Sequence, residues 1–181
     1  MMNKRSDTPG FTLIEVMIVV VILFSLLAIS LPAFLDFLQR TKTSEATSNL
    51  KTLFIGASSY YAGENAAQGV AMIAPTTGCL VNPTGRLPLA VSDQKQTFNF
   101  TANASFRALG FSSSDPIYFG YTIDSPTPGC AAMNSSPAYT FVAEGDLDGD
   151  MTLSRFELAT GTNANMELYR STGFYVVRDT E

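Results

Sequence analysis

Five residues near the C-terminus have the types and spacing of ligands for a hard divalent cation. Oxygen donors occupy the first, third, fifth, seventh, ninth and twelfth positions of the stretch 146–157, which is the spacing of a calcium-binding loop. The candidate ligands are Asp146, Asp148, Asp150, Thr152 through its backbone carbonyl, and Glu157. A solvated acidic turn between two strands explains the same residues without a metal. Both interpretations stay open, and Ca²⁺ is the only cofactor that the sequence suggests.

This acidic stretch departs from the calcium-loop pattern in two ways. The sixth position, where a sharp turn favours glycine, is Met151, and the flanking sequences alternate as strands do. The form predicted is therefore a hairpin loop that uses three aspartates, with or without the carboxylate of Glu157. Three carboxylates within five residues repel one another, so the loop should be locally unstable without a cation.

A second group that could do chemistry is one carboxylate in an apolar stretch. Glu15 lies four residues after Phe11, in an otherwise uncharged run that continues to Leu35. A carboxylate in a membrane core costs roughly 2.5–3.5 kcal/mol, so a partner for Glu15 is expected. The alternatives are an ordinary secretory signal peptide, with Lys4 and Arg5 as its basic start, and a simple transmembrane anchor. Neither explains Glu15.

The segment Gly10-Phe11-Thr12-Leu13-Ile14-Glu15 and the apolar run behind it resemble the processing site of type IV pilins and the related type II secretion pseudopilins. The resemblance implies that a prepilin peptidase cuts after Gly10 and that the new N-terminal residue, Phe11, is methylated. It further implies that Glu15 pairs with the Phe11 amine of a neighbouring subunit. Pro32 stands where pilins commonly carry a proline, near which the helix can melt in assembled filaments.

That resemblance implies a structural filament subunit of a type IV pilus and not an enzyme. The expected locations are the inner membrane, as a single span with a periplasmic head, and then an extracellular pilus or a periplasmic pseudopilus. The implied partners are further copies of the chain in a helical filament, the prepilin peptidase, and an inner-membrane platform with its assembly ATPase. A type II secretion pseudopilin, or a minor pilin for adhesion or DNA uptake, is the alternative function.

The composition also excludes several classes of function. The 181 residues include no histidine, which excludes His-based nucleophile systems and His-ligated zinc. The net charge is −5 and the leader is positive, so the rest of the chain is acidic and no specific nucleic-acid partner is predicted. The two cysteines, Cys79 and Cys130, form no C-x-x-C motif. In an exported domain one disulfide is the simplest prediction, with two free thiols as the alternative.

The predicted fold is α+β, with a long N-terminal helix packed on a C-terminal antiparallel sheet, as in pilins. Its parts are a leader over 1–10, a transmembrane or filament-core half-helix over 11–35, an amphipathic half-helix over 36–62 and a head over 63–181. Pro32 predicts a kink or local break. The charged residues expected to face solvent or other subunits are Asp36, Arg40, Lys42, Glu45 and Lys51. The stripe expected to pack on the head is Ala46, Leu50, Leu53, Phe54, Ala57, Tyr60 and Tyr61.

Within the head, alternation and turn residues predict four antiparallel strands, which lie at 116–123, 139–143, 154–159 and 173–178. A further strand is predicted at 97–101 and a short helix at 104–109, ended by Gly110. The piece 70–73 is compatible with either a helical turn or a strand. Gly56, inside the amphipathic half-helix, is expected to mark close packing.

Overall fold

The computed structural model of the chain describes residues 10–67 and 77–178. The chain divides into two compact units, one ending at Leu38 and the other beginning at Gln39. Most of the leader, at 1–9, and the undecided piece 70–73 lie outside the described residues. A single helix, α1 (Leu13–Ala67), contributes to both units.

In the first unit, α1 is apolar on all sides and none of its side chains is buried. A helix of this kind has no amphipathic stripe to direct it onto a protein core. By length and composition, it is the one helix among the described residues that could cross a membrane. The local break predicted at Pro32 is not found, because α1 continues through that residue, and the kink stays a prediction. Proline removes only one backbone donor, and the remaining hydrogen bonds of a long helix keep it continuous.

In the second unit, α1 becomes amphipathic and supplies one wall of the head's core. The predicted stripe is confirmed: its members recur at three- and four-residue steps, and those that are fully buried are Ala46, Leu50, Leu53, Ala57 and Tyr61. Phe54 and Tyr60 are partly buried and pack against the same core. The helix ends at Ala67, five residues beyond the predicted end. Gly63 weakens a helix by only about 1 kcal/mol, and the alanines that follow favour it.

The head contains a five-stranded antiparallel sheet and a separate two-stranded ribbon. In chain order the strands are β1 (Thr77–Leu80), β2 (Gly120–Asp124), β3 (Gly129–Met133), β4 (Pro137–Gly145), β5 (Ser154–Thr162), β6 (Leu168–Arg170) and β7 (Tyr175–Val177). The sheet has the order β2-β4-β5, and both β6 and β7 pair with β5, while β1 pairs with β3 to form the ribbon. The α+β prediction is therefore confirmed.

Three of the predicted sheet strands correspond to β4, β5 and β7. The predicted strand at 116–123 begins only at Gly120, where its pairing with β4 starts. The predicted helix at 104–109 is α2 (Ala104–Ala108), and Gly110 follows it with a φ of +65°. The ribbon and β6 were not predicted, because they are short and lack a clear alternation of apolar and polar residues.

The predicted strand at 97–101 is wrong. Phe100–Ala102 is a 3₁₀ turn that starts at Asn99, whose side chain accepts a hydrogen bond from the Thr101 N–H at 3.1 Å. A short polar side chain that bonds the backbone locally competes with strand formation. The turn directs Phe100 into an aromatic cluster, with its ring centroid 5.0 Å from those of Phe106 and Phe111.

Candidate assembly segment and acidic loop

The start of α1 is fixed by a threonine two residues after Gly10. The Oγ1 of Thr12 accepts a hydrogen bond from the Glu15 N–H at 3.3 Å, which caps one of the free N–H groups at the helix N-terminus. Gly10 and Phe11 therefore precede the helix, and nothing lies within 4 Å of the Cβ position of Gly10. Both residues are exposed with respect to the part of the chain that the structure describes.

Glu15 lies in the first turn of α1, where a carboxylate interacts favourably with the helix dipole. Its apolar neighbours are exposed, and Phe11 shows 83% of its surface. Exposed apolar surface of this extent indicates an interaction with lipid or with other protein. Pro32 lies in the same exposed part of the helix.

Where α1 enters the head, polar side chains hold it to the sheet. The Oε1 of Glu45 accepts hydrogen bonds from the N–H groups of Tyr118, at 2.9 Å, and Phe119, at 3.4 Å. One turn along the helix, Asn49 donates to the Tyr121 hydroxyl at 2.7 Å. Residues 118 and 119 come just before β2, so their N–H groups need an acceptor outside the sheet, and Glu45 supplies it.

Lys42 adds a further contact between α1 and the head. Its ammonium group donates to the Leu147 carbonyl at 2.8 Å and lies 4.9 Å from the centroid of the Tyr118 ring. The ammonium group of Lys95 lies 5.1 Å from the same ring centroid. The prediction that Lys42 and Glu45 face solvent or other subunits is therefore wrong. Both side chains are half-buried, because they form hydrogen bonds with backbone groups of the head.

The acidic stretch forms the loop between β4 and β5. One carboxylate oxygen from each of Asp146, Asp148 and Asp150 lies within 4.8 Å of the others. Asp146 is buried, and its two carboxylate oxygens accept from the N–H groups of Gly149, at 2.7 Å, and Met151, at 3.2 Å. Three converging carboxylates on alternate residues are a donor set suited to a hard divalent cation.

The Thr152 carbonyl as a further ligand stays a prediction. Thr152 donates its N–H to an oxygen of Asp150 at 2.6 Å, and hydrogen bonds from the backbone and side chain of Thr152 lower the pKa of Asp150. The structure does not bring Glu157 into the group of three aspartates. It lies on β5, where its carboxylate pairs with the guanidinium group of Arg155. Met151, at the sixth position, has a φ of +70°, the left-handed conformation for which glycine is usually required.

The two cysteines are joined, which confirms the predicted disulfide. Cys79 lies on β1 and Cys130 on β3, so the bond connects the two strands of the ribbon. The ribbon contributes to the core through Leu80 and Ala132, both buried.

Comparison with known proteins agrees with the geometry of the N-terminal segment. Residues 5–31 match a family model described as a prokaryotic N-terminal methylation motif. Over 126 residues the chain is 37% identical to the type IV major pilin protein PilA of Myxococcus xanthus (strain DK1622), an alignment that covers 66% of this chain and 56% of that protein. The motif and this likeness support the type IV pilin family for the chain.

A second relative is the fimbrial protein EcpC of Eikenella corrodens, which is 46% identical over 80 residues. That alignment covers 40% of this chain and 50% of the relative. The chain thus spans about half the length of the curated relatives it matches. No solved structure matches the chain.

Sequence reasoning missed the contacts of three side chains in the two candidate regions. Thr12 had a recognisable signal, because Thr-x-x-Glu at the start of an apolar run is the capping-box spacing. Lys42 and Asn49 had none, since their partners, the Leu147 carbonyl and the Tyr121 hydroxyl, lie 105 and 72 residues away in the chain.

The stability of the head should depend on pH through Glu45. Burial raises the pKa of Glu45 above 4.5, and this effect exceeds the opposing hydrogen bonds from Tyr118 and Phe119 and the attraction of Lys95. A raised pKa in the folded state means that the contribution of Glu45 to stability is complete below the unfolded-state pKa and is lost as pH rises through the folded-state value. Glu45→Gln keeps an acceptor oxygen but does not titrate.

We therefore expect the stability of the Glu45→Gln variant, relative to the wild type, to increase as pH is raised from 4 to 7. Urea denaturation of both proteins at several pH values measures this difference. A difference that stays constant, or that falls with rising pH, contradicts the burial of the Glu45 carboxylate.

Proposed function

We propose that this chain is a structural subunit of a type IV pilus, assembled through the N-terminal half of α1. The observation that carries the proposal is that this half-helix is apolar on all sides and has no buried side chain in the chain itself. Leaving this apolar surface in water would cost about 25 cal/mol per Å², so the half-helix must be covered either by lipid or by other copies of itself. The two named relatives, a type IV major pilin and a fimbrial protein, support a pilus over a secretion pseudopilus.

The proposed sequence of events begins in the inner membrane, with the apolar half-helix as the span and the head in the periplasm. The prepilin peptidase cuts after Gly10, and the Phe11 amine is exposed and methylated. Subunits then leave the bilayer as their helices pack side by side, driven by the platform and assembly ATPase. The carboxylate of Glu15 sets the register by pairing with the Phe11 amine of a neighbour, which offsets the cost of a charge in an apolar environment.

Processing gives the direct test. Gly10→Val should leave an uncut precursor in the membrane, because the segment before the cap of α1 would no longer fit a site that requires glycine. Mass spectrometry of membrane protein, together with electron microscopy of sheared filaments, measures both results. Gly63→Ala, at an exposed glycine with free space around its Cβ position, is the matched control and should be processed and assembled normally. Normal cleavage of the Gly10→Val protein contradicts the proposed function.

We further propose that the loop between β4 and β5 binds Ca²⁺ through Asp146, Asp148 and Asp150. The support is the convergence of their oxygens, and the Ca²⁺ would neutralise charges that otherwise repel one another. Glu157 is left out because of its pairing with Arg155. When bound, the cation would hold the loop in one conformation.

Calcium should therefore raise the melting temperature of the head. A concentration ten times the Kd gives about 1.4 kcal/mol of stabilisation, which corresponds to a few degrees. Asp148→Asn should remove the rise, and Asp115→Asn, which neutralises an exposed acid outside the cluster, should not. Equal responses of the two variants to Ca²⁺ and to a chelator would contradict a specific site.

A further inference from the structure

The head carries an exposed patch of cationic, aromatic and apolar side chains where α1 meets the C-terminal strands. The patch, which we call the cationic patch, consists of Lys51, Phe54 and Ile55 on α1, Arg170 on β6 and Phe174 before β7. The Lys51 ammonium group lies 5.8 Å from the centroid of the Phe174 ring, and the Arg170 guanidinium group lies 5.9 Å from that of Phe54. These contacts position both cations beside the apolar residues of α1.

Both cations of this patch lack a carboxylate partner in the described part of the chain. The ion pairs found there join Arg86, Glu144, Arg155 and Glu157. Ile55 lies one helical turn from Lys51 and is 66% exposed. Among the described residues, the patch therefore combines two positive charges without an ion-pair partner and apolar surface in contact with water. An acidic surface with its own apolar group would complement it.

The tip of the loop between β4 and β5 has that composition. Asp148 and Asp150 are exposed, and the side chain of Met151 beside them is 89% exposed. We infer that the loop tip, residues 148–151, of one copy of this chain docks on the cationic patch of a second copy. The Met151 side chain packs against Ile55, and in the loop without a bound cation the two carboxylates face Lys51 and Arg170, so docking and Ca²⁺ compete for the same carboxylates. The inference rests on the proposed function, in that the contact forms between neighbouring subunits of a filament.

The positions of the two surfaces along α1 explain why the contact extends a filament. Lys42 bonds the Leu147 carbonyl, so the loop is held level with Lys42, whereas the cationic patch lies nine to thirteen residues further along the helix. At the helical rise, that offset is roughly 14–20 Å. Two different surfaces at different heights form a heterologous contact, which leaves one free surface on each subunit and propagates along the axis. A reciprocal pairing, in which each copy places its loop on the patch of the other, would close a dimer instead.

Crosslinking within filaments tests the contact. The full chain carrying Ile55→Cys and Met151→Cys is assembled, and sheared filaments are treated with a short bismaleimide. The native cysteines do not react because they form a disulfide. We expect a ladder of dimers, trimers and larger species on denaturing gels, and no ladder from either single variant. The matched control pair is Ile55→Cys with Leu89→Cys, an exposed position outside the loop, and should give monomer.

Substitutions that leave the loop carboxylates intact provide a second measurement. Ile55→Ser and Arg170→Glu should each reduce the yield of sheared filaments several-fold, whereas Arg107→Glu, an exposed arginine on α2, should not. Filaments with full yields and no ladder would overturn the inference and leave the proposed function standing. If the wild-type chain forms no filaments at all, the proposed function fails, and the inference fails with it. A product that stops at dimers would replace the propagating contact with a closed one.

Discussion

Replacing Gly56 with alanine should destabilise the head by about 3 kcal/mol, the upper part of the range for overpacked sites. A Cβ at this position would overlap the carbonyl oxygen and carbon of Leu109, which follows α2. Those are backbone atoms, so no side-chain rotation relieves the clash, and α1 would have to move away from α2. Urea denaturation of a fragment that begins at Gln39, the start of the second compact unit, measures the loss.

Helix propensity alone predicts that Gly56→Ala stabilises the head, whereas the clash predicts that it destabilises the head. The sign of the measured change therefore tests the clash. Alanine favours a helix over glycine by about 1 kcal/mol, so Gly→Ala stabilises a helix that has free space at the site. Gly63 lies seven residues further along α1, and nothing lies within 4 Å of its Cβ position. Gly63→Ala should therefore raise stability slightly, while Gly56→Ala lowers it. Two changes of the same sign would refute the close approach of α1 to Leu109.

The parts of the fold that the sequence predicted are those where one local pattern determines one structure. The three- and four-residue spacing from Ala46 to Tyr61 has a single solution, a helix with one buried face, and that face is buried. The alternation in β5 is equally clear, because every second side chain from Ser154 to Thr160 is buried. The stretch 97–101 alternates as well, but the hydrogen bond from Thr101 to Asn99 makes it a turn. A local side-chain bond therefore overrides the alternation.

The candidate site residues were likewise predictable only where they lie close together in the sequence. Asp146, Asp148 and Asp150 are close in sequence, so the hairpin brings them together as their spacing predicts. Glu157 is outside the group because the loop leads directly into β5, whereas a helix after the loop would carry its twelfth residue back toward the first. The role of Glu45 depends on the N–H groups of Tyr118 and Phe119, more than seventy residues away. No local pattern identifies such partners.

Removing the disulfide should have the other large effect, a loss of about 4 kcal/mol in the free energy of unfolding. Cys79 and Cys130 are 51 residues apart, and a crosslink that closes a loop of this length restricts the unfolded chain strongly. A domain of this size is stable by about 5–15 kcal/mol, so the loss is a large fraction of the total. Both residues should be changed to alanine, because serine at the buried Cys79 would leave a hydroxyl without a partner.

The region in which hydrogen exchange accelerates shows whether the disulfide or the contacts with the core hold the ribbon in place. A two-stranded ribbon is marginally stable alone, and the register of β1 with β3 shifts between Gly78 and Leu80. Hydrogen exchange of the Val81 N–H, which donates to the Tyr139 hydroxyl at 3.0 Å, should accelerate in the double variant more than exchange in β4 and β5. Wild-type protein treated with a reductant should show the same denaturation midpoint as the variant. A double variant within about 1 kcal/mol of the wild type, with Val81 still protected, would mean that Leu80, Val81 and Ala132 hold the ribbon through their burial alone.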